Sequence, residues 1–300
     1  MAAVSVSVND EIQRRDAGRA KRARRMQWIQ TKIVPRVILI IMCAVFILPF
    51  YWMASLALKS NAELSIYPPT LWPHDPQWGN FAESTRVFPF WQFARNTLIV
   101  TVFTIIGATI SNPFIAYGFS RLNWPGRDKV FLVVLATVFM PFPVIIVALV
   151  DIYAQWGWMN TFLPLIVPMF FGNAFWIFLV RQFMMQIPMD LSDAAKVDGA
   201  SEWQIFWQIV MPQCIPALGV VAIFSGLHAW NDFIGPLIFL GKESLYTLPI
   251  GLTFFQATNA YDVRFNLMMA ASTLVVLPLI VLFLLFQKSF IGGLSVGSIK

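Results

Sequence analysis

Charge is what this 300-residue sequence has least of: Asp, Glu, Lys and Arg together make up 12% of it, against about 25% in an ordinary soluble domain. That shortage argues against a water-soluble globule. Cysteine is as scarce, and Cys43 and Cys214 stand far apart, without C-x-x-C spacing or histidine-rich company. Neither a disulfide framework nor a zinc site is indicated. The sequence has no G-x-x-x-x-G-K-[ST] loop and no polar segment long enough for a nucleotide domain, so it is not an ATPase on its own. Clustered His, Cys or carboxylates deep in the apolar stretches are also missing, which argues against a membrane enzyme. What the chain has in abundance is apolar bulk. At 58% hydrophobic, with 28 Phe and 12 Trp, it carries far too much surface to bury to remain disordered.

The apolar residues are gathered into uncharged stretches at 37–58, 96–120, 130–150, 152–180, 203–231 and 265–287. Each exceeds the roughly 20 residues that cross about 30 Å of hydrocarbon as a helix. An all-α integral membrane protein with six spans follows, placed near 37–58, 96–119, 130–150, 161–180, 214–237 and 266–287. The fifth is set late because Pro212 and Pro216 interrupt its block and the apolar run continues past Asp232 to Leu240. Asn112-Pro113, Pro141, Pro143, Pro164 and Pro168 predict bends in spans two to four. The first block is too long for a cleaved signal core and is preceded by too long a polar segment, so it reads as a retained span.

Positive residues collect on the cytoplasmic side of a membrane protein. With the N-terminus inside, all but five of the 21 basic residues, Lys59, Arg86, Arg95, Lys242 and Arg264, fall on that side. Both termini are therefore expected to be cytoplasmic, in a multi-pass protein of a bacterial plasma membrane. The net charge of +6 follows from topology and attraction to anionic membrane lipid, without nucleic acid. Residues 1–32 form a basic cytoplasmic tail, with 21–32 readable as an interfacial helix carrying Trp28 and Ile29, and the six-span domain occupies 33–300. The first outer loop, 59–95, is rich in Pro and carries Trp72, Trp78 and Trp91 at headgroup level or as a docking surface. Leu122 to Arg127 makes a tight inner turn broken by Pro125-Gly126.

The cytoplasmic segment 186–212 is too apolar for a linker and too punctuated for a span. Asp193, Ala194, Ala195 and Lys196 favour a short helix that Asp198-Gly199 breaks. Ser201 with Gln204 three residues on predicts a capping box, and Trp203, Phe206, Trp207 and Val210 then recur at helical spacing. Pro212 and Pro216 are read as the exit from this amphipathic helix into span five. The sequence thus specifies helix, turn and helix on the inner face, with aromatic anchors at one end and small and acidic residues free at the other.

Asp193-Ala194-Ala195, three residues, Gly199, nine residues, Ile209, one residue, Met211-Pro212 resembles the Glu-Ala-Ala loop of ATP-binding-cassette importer permeases. Asp198-Gly199-Ala200, the prolines at 212 and 216, Arg181-Gln182-Phe183, Ile187-Pro188 and Trp230-Asn231-Asp232-Phe233 are similar to the carbohydrate-uptake branch, the smaller maltose-type subunit. Asp193 stands where that family most often has Glu and Met211 where it has Leu, which shortens the acidic reach and conserves apolar volume. The resemblance implies the type I importer fold, a second homologous permease, two ATPase subunits that carry ATP and Mg, and an extracytoplasmic solute-binding protein. It implies no cofactor bound by this chain. Asp193, Ala194, Ala195, Asp198, Gly199 and Ala200 are then the ATPase-coupling loop, with Trp203, Phe206, Trp207 and Pro212 as its anchor.

Sugars are held by aromatic stacking with amides and carboxylates, so Trp230, Asn231 and Asp232 are candidates for the solute pathway, with packing and capping as the competing roles. The alternative from another class is an ion-coupled secondary carrier. It would use His228 and Asp232, four apart on one helical face, with Asp151 a further ionisable candidate. The sequence does not name the solute.

Overall fold

The computed structural model describes residues 26–257 and 264–295; the tail up to Arg25 and the terminal Lys300 lie outside the described residues. Among the described residues the secondary structure is helical throughout. Five helices are long and apolar enough to cross a membrane, and a sixth arises if one sharply bent pair counts as a span.

The first helix, α1 (Met26–Ala57), starts ahead of the expected span. Of residues 21–32, read from sequence as an interfacial helix, the described part from Met26 onward runs straight into it. A π-helical stretch at Ile29–Ile33 carries the backbone across, and the Thr31 hydroxyl donates to the Gln27 carbonyl at 2.7 Å. The most apolar window of α1 buries nothing in the single chain. Only its C-terminal end packs, on the last long helix, where Ser55 and Ala57 are buried.

Helix α2 (Phe90–Ser120) is the hub of the molecule. Pro113 lies inside it without ending it, so the bend expected there is absent as a break. Asn112 instead donates from its side chain to the Ala108 carbonyl and accepts the Asn173 N–H at 2.8 Å, tying α2 to span four.

Span three is two helices rather than a rod. α3 (Arg127–Ala136), extended by one 3-10 turn to Phe139, and α4 (Phe142–Gln155) meet at 100° across Met140-Pro141. Pro141 lacks an N–H and disfavours helix in the residue before it, which is why the break falls there. Span four is similarly composite. α5 (Leu163–Ile166) passes through 3-10 turns to Phe171, and α6 (Ala174–Met184) restarts after Gly172-Asn173. Gly172 has φ of +89°, and a Cβ there would lie 2.5 Å from Ile115 Cδ1, so this break is built for glycine on both counts. Asn173 Oδ1 caps α6 by accepting the N–H groups of Phe175 and Trp176.

The clearest departure from expectation is span five. Instead of an amphipathic helix followed by a span near 214–237, one helix runs without interruption from Glu202 to Asn231. The prolines do not mark an exit. Residues Ile205–Val210 adopt π-helical bonding, with Met211 N–H reaching back to the Phe206 carbonyl, just ahead of Pro212. Widening the turn there accommodates prolines that would otherwise break an α-helix, and the Gln213 side-chain amide donates to the Ile209 carbonyl at 2.9 Å. The apolar residues after Asp232 belong to a separate short helix, Ile234–Phe239. A helix at Leu248–Ala257 and the last long helix, Phe265–Ser295, complete the bundle.

α2 packs against spans four and five, while the last helix packs on α1 and span five. The end of this bundle that carries residues 186–201 has its own core of Tyr117, Val180, Met184, Ile187, Ile205, Phe206, Val210 and Cys214. That core supports the segment between spans four and five.

Candidate coupling site

Helix α7 (Met189–Val197) projects from this core, with Asp190 in its first turn and Lys196 in its last, as the helix dipole favours. Its end is closed by a two-bond turn: Ala200 N–H reaches the Ala195 carbonyl at 2.9 Å and Gly199 N–H the Lys196 carbonyl at 3.0 Å. The turn needs a left-handed residue, and Gly199 supplies it with φ of +85°. No atom would meet a Cβ at Gly199, so glycine is required here by backbone angle alone and the space around it is open. Ser201 and Gln204 then form the expected capping box, Gln204 N–H to Ser201 Oγ at 3.3 Å and Ser201 N–H to Gln204 Oε1 at 2.8 Å. The next helix, α8 (Glu202–Asn231), begins there.

Asp193, Ala194, Asp198 and Gly199 face outward, and Val197 is 88% exposed. Ala195 and Ala200 are half-buried against that core. The aromatic end is held by α2. Phe206, only 2% exposed, stacks on Phe114 at 4.6 Å and meets Tyr117 edge-on at 5.1 Å. Trp203 stacks on the same Phe114 at 5.5 Å, and Trp207 meets it edge-on at 5.6 Å. Offset and edge-to-face pairs of this kind add about 0.5–1.5 kcal/mol each beyond area burial. Pro212 sits at the start of the α-helical part of span five, behind the π turn.

Polar groups missed by the sequence reading hold α7 in place. Lys196 Nζ lies 2.7 Å from one oxygen of Glu202, whose other oxygen accepts the Tyr117 hydroxyl at 2.6 Å. The hydrogen bond to Glu202 raises the Lys196 ammonium above its ordinary pKa, with a smaller opposing effect of burial. Arg121, buried at the end of α2, donates to the carbonyls of Met184 at 2.7 Å and Ile187 at 2.6 Å. The partners of Tyr117 and Arg121 lie more than 60 residues away along the chain, so no local spacing reveals them.

The outer candidates separate. Trp230 is 7% exposed in an aromatic core, its Nε1–H donating to the Val275 carbonyl at 3.2 Å. The Asn231 side chain donates to Leu227 O within its own helix. Asp232 Oδ1 accepts the Gly235 N–H at 3.1 Å and so starts the short helix that follows. Asp232 also lines a cavity of about 590 Å³ at the bend of span three, with His228, Asn173 and Tyr153 as further polar neighbours. No hydrogen bond or ion pair joins His228 to Asp232.

A bundle of long, broken apolar helices with a short helix presented to solvent at one end describes a multi-pass membrane protein. Comparison with known proteins makes the family plain. Residues 113–295 match the family described as binding-protein-dependent transport system inner membrane component, and the chain belongs to it. It is 30% identical over 259 residues to the arabinooligosaccharides transport system permease protein AraQ of Bacillus subtilis, covering 85% of this chain and 91% of that one. It is 28% identical over 268 residues to the diacetylchitobiose uptake system permease protein NgcG of Streptomyces coelicolor, covering 89% and 88%. A solved bacterial ABC transporter involved in the import of the acidic polysaccharide alginate has the same fold, with a TM-score of 0.75 at 22% identity over 88% of this chain and 98% of that one. Nothing in these relatives or in the geometry favours the ion-coupled carrier.

Proposed function

We propose that this chain is one of two permease subunits forming the pathway of an ATP-driven importer for a carbohydrate or related polyol. Its α7 seats in a cleft on one of two ATPase subunits. The observation that carries this reading is the geometry of α7: a short helix closed by Gly199, aromatic-anchored behind, with Asp193, Ala194, Val197 and Asp198 presented to solvent. The small residues permit close approach, Val197 offers an apolar knob, and the two carboxylates suit a basic or amide-rich rim. The carbohydrate class is supported by the names of the relatives, which transport arabinooligosaccharides and diacetylchitobiose.

In this reading the chain binds no cofactor; ATP and Mg sit on the ATPase subunits, and an extracytoplasmic binding protein delivers the solute. A second solved alginate transporter, in complex with a periplasmic protein bound to alginate pentasaccharide, supports such a partner. Both termini and α7 face the cytoplasm of a bacterial plasma membrane. ATP binding elsewhere biases the pathway between inward-open and outward-open forms, and α7 carries that bias to the spans. Asp232, with the cavity beside it, is the candidate solute contact, while Trp230 supports it through packing and Asn231 through a hydrogen bond within its own helix. The test is uptake by sealed vesicles containing the complete complex. Import that requires ATP and the binding protein is expected, whereas import that persists without ATP and collapses with an uncoupler overturns the proposal in favour of the carrier.

A further inference from the structure

We infer that span two, to which α7 has no direct chain connection, receives the motion of that helix through a two-point clasp made by Tyr117, Glu202, Lys196 and Arg121, acting as positioning residues. This rests on the reading of α7 as the ATPase-docking helix.

By chain connection alone, α7 moves spans four and five, which flank it. α2 is neither neighbour in sequence, yet it grips both ends of α7. At the entry to α7, Arg121 Nη2 donates to both the Met184 and Ile187 carbonyls, and its Nη1 reaches Met189 Sδ at 2.9 Å and the Pro188 carbonyl at 3.5 Å. These groups are the final turn of α6 and the first residues of α7, where exposed carbonyls carry the negative end of a helix dipole. No carboxylate pairs with Arg121 among the described residues. Its charge is held by backbone carbonyls, a geometry that the planar fork of arginine suits and a lysine does not.

At the exit from α7, Glu202 joins two helices with one carboxylate, one oxygen to Lys196 at 2.7 Å and the other to the buried Tyr117 hydroxyl at 2.6 Å. Tyr117 and Arg121 are four apart and share one face of α2. A helix held at a single point can swing about it, but one held at both ends passes on rotation as well as displacement. Span two therefore turns with α7. Because α2 is also the hub against which spans four and five pack, the clasp makes the inner ends of three spans move as one body.

The test uses the complete importer, unaltered or carrying Tyr117→Phe, Lys196→Met, both together, or Arg121→Lys. The readouts are solute imported per ATP hydrolysed, retention of the ATPase subunits and thermal stability of the complex. Loss of one charge-assisted hydrogen bond lowers imported solute per ATP about tenfold in Tyr117→Phe, with ATPase retention unchanged and the complex still folded at the assay temperature. The double variant is expected to be no worse than the weaker single one, since both act through the same carboxylate. Arg121→Lys lowers the ratio by a similar factor. Unaltered stoichiometry in Tyr117→Phe, additive losses in the double variant, or losses that track the unfolded fraction at the assay temperature each overturn the clasp. Failure of the docking reading looks different: a crosslinking residue placed at Val197 of the otherwise unaltered complex then captures no ATPase subunit.

Discussion

Replacing Gly199 separates what the backbone needs from what a partner needs. In the chain by itself the glycine meets an angular demand only, since φ is +85° and no atom lies within 4 Å of where a Cβ would stand. A left-handed conformation costs an L-residue roughly 1–2 kcal/mol, or about a 5- to 30-fold shift in the population of the closed turn, and Asn bears it more easily. Asn is therefore the mildest replacement. Gly199→Ala and Gly199→Leu should destabilise the free permease equally, because the longer side chain has open space to enter. In the assembled importer the two diverge: if a cleft covers Gly199, Leu must be forced into it while Ala fits at little further cost. The assay is ATP turnover stimulated by loaded binding protein, in membranes with matched permease content. Leu is expected to abolish stimulation, Ala to reduce it and Asn to retain most of it. Equal turnover in the Ala and Leu variants would refute the reasoning, because it would leave the open face of the turn uncovered in the complex.

Other predictions follow from the same geometry. Asp193→Glu extends the carboxylate by one methylene and should be nearly neutral, whereas Asp193→Lys should weaken ATPase retention; equal retention in both would remove charge from the docking account. Single cysteines at the strongly exposed Val197 and Tyr67, in a chain freed of Cys43 and Cys214, should label only from the cytoplasm and only from outside respectively. The reverse pattern would invert the topology. The Lys196–Glu202 pair gives a pH dependence with a definite sign. Because the folded-state pKa of Lys196 is raised above its ordinary 10.5, its stabilisation is complete below that value and is lost only as pH rises through the raised one. Removing this pair by Lys196→Met should therefore leave the alkaline limb of ATPase-subunit retention shallower, with no change of shape at neutral pH; a loss centred near neutrality would contradict it.

How much of this was legible in the sequence depends on the range of the interactions involved. Uncharged length alone pointed to helices, since a run such as 96–120 has no other way to satisfy its backbone in hydrocarbon. The capping box at Ser201 and the glycine turn at 199 were readable because both are decided within a few residues. Span five was misjudged for a physical reason: Pro212 and Pro216 end a regular α-helix, but the π turn at Ile205–Val210 absorbs them, and a backbone register of that kind leaves no mark in side-chain periodicity. The sharp bend at Met140-Pro141 was signalled by its proline, whereas the equally visible Pro113 produced no break. The supports of α7 stayed hidden because Phe114, Tyr117 and Arg121 reach it from a helix distant in the chain. Trp230 in span five shows a choice that sequence left open, between packing and solute contact. Trp230 has the chemistry to stack on a sugar, yet its surroundings give it a place in the core.

The central claim, that α7 delivers the work of ATPases to the spans, is tested most directly by a photo-crosslinking residue at position 197 in the fully assembled importer. The account predicts a crosslink to an ATPase subunit, lost when Gly199 is replaced by Leu. An assembled, transporting complex in which position 197 reacts with water or lipid alone would contradict it.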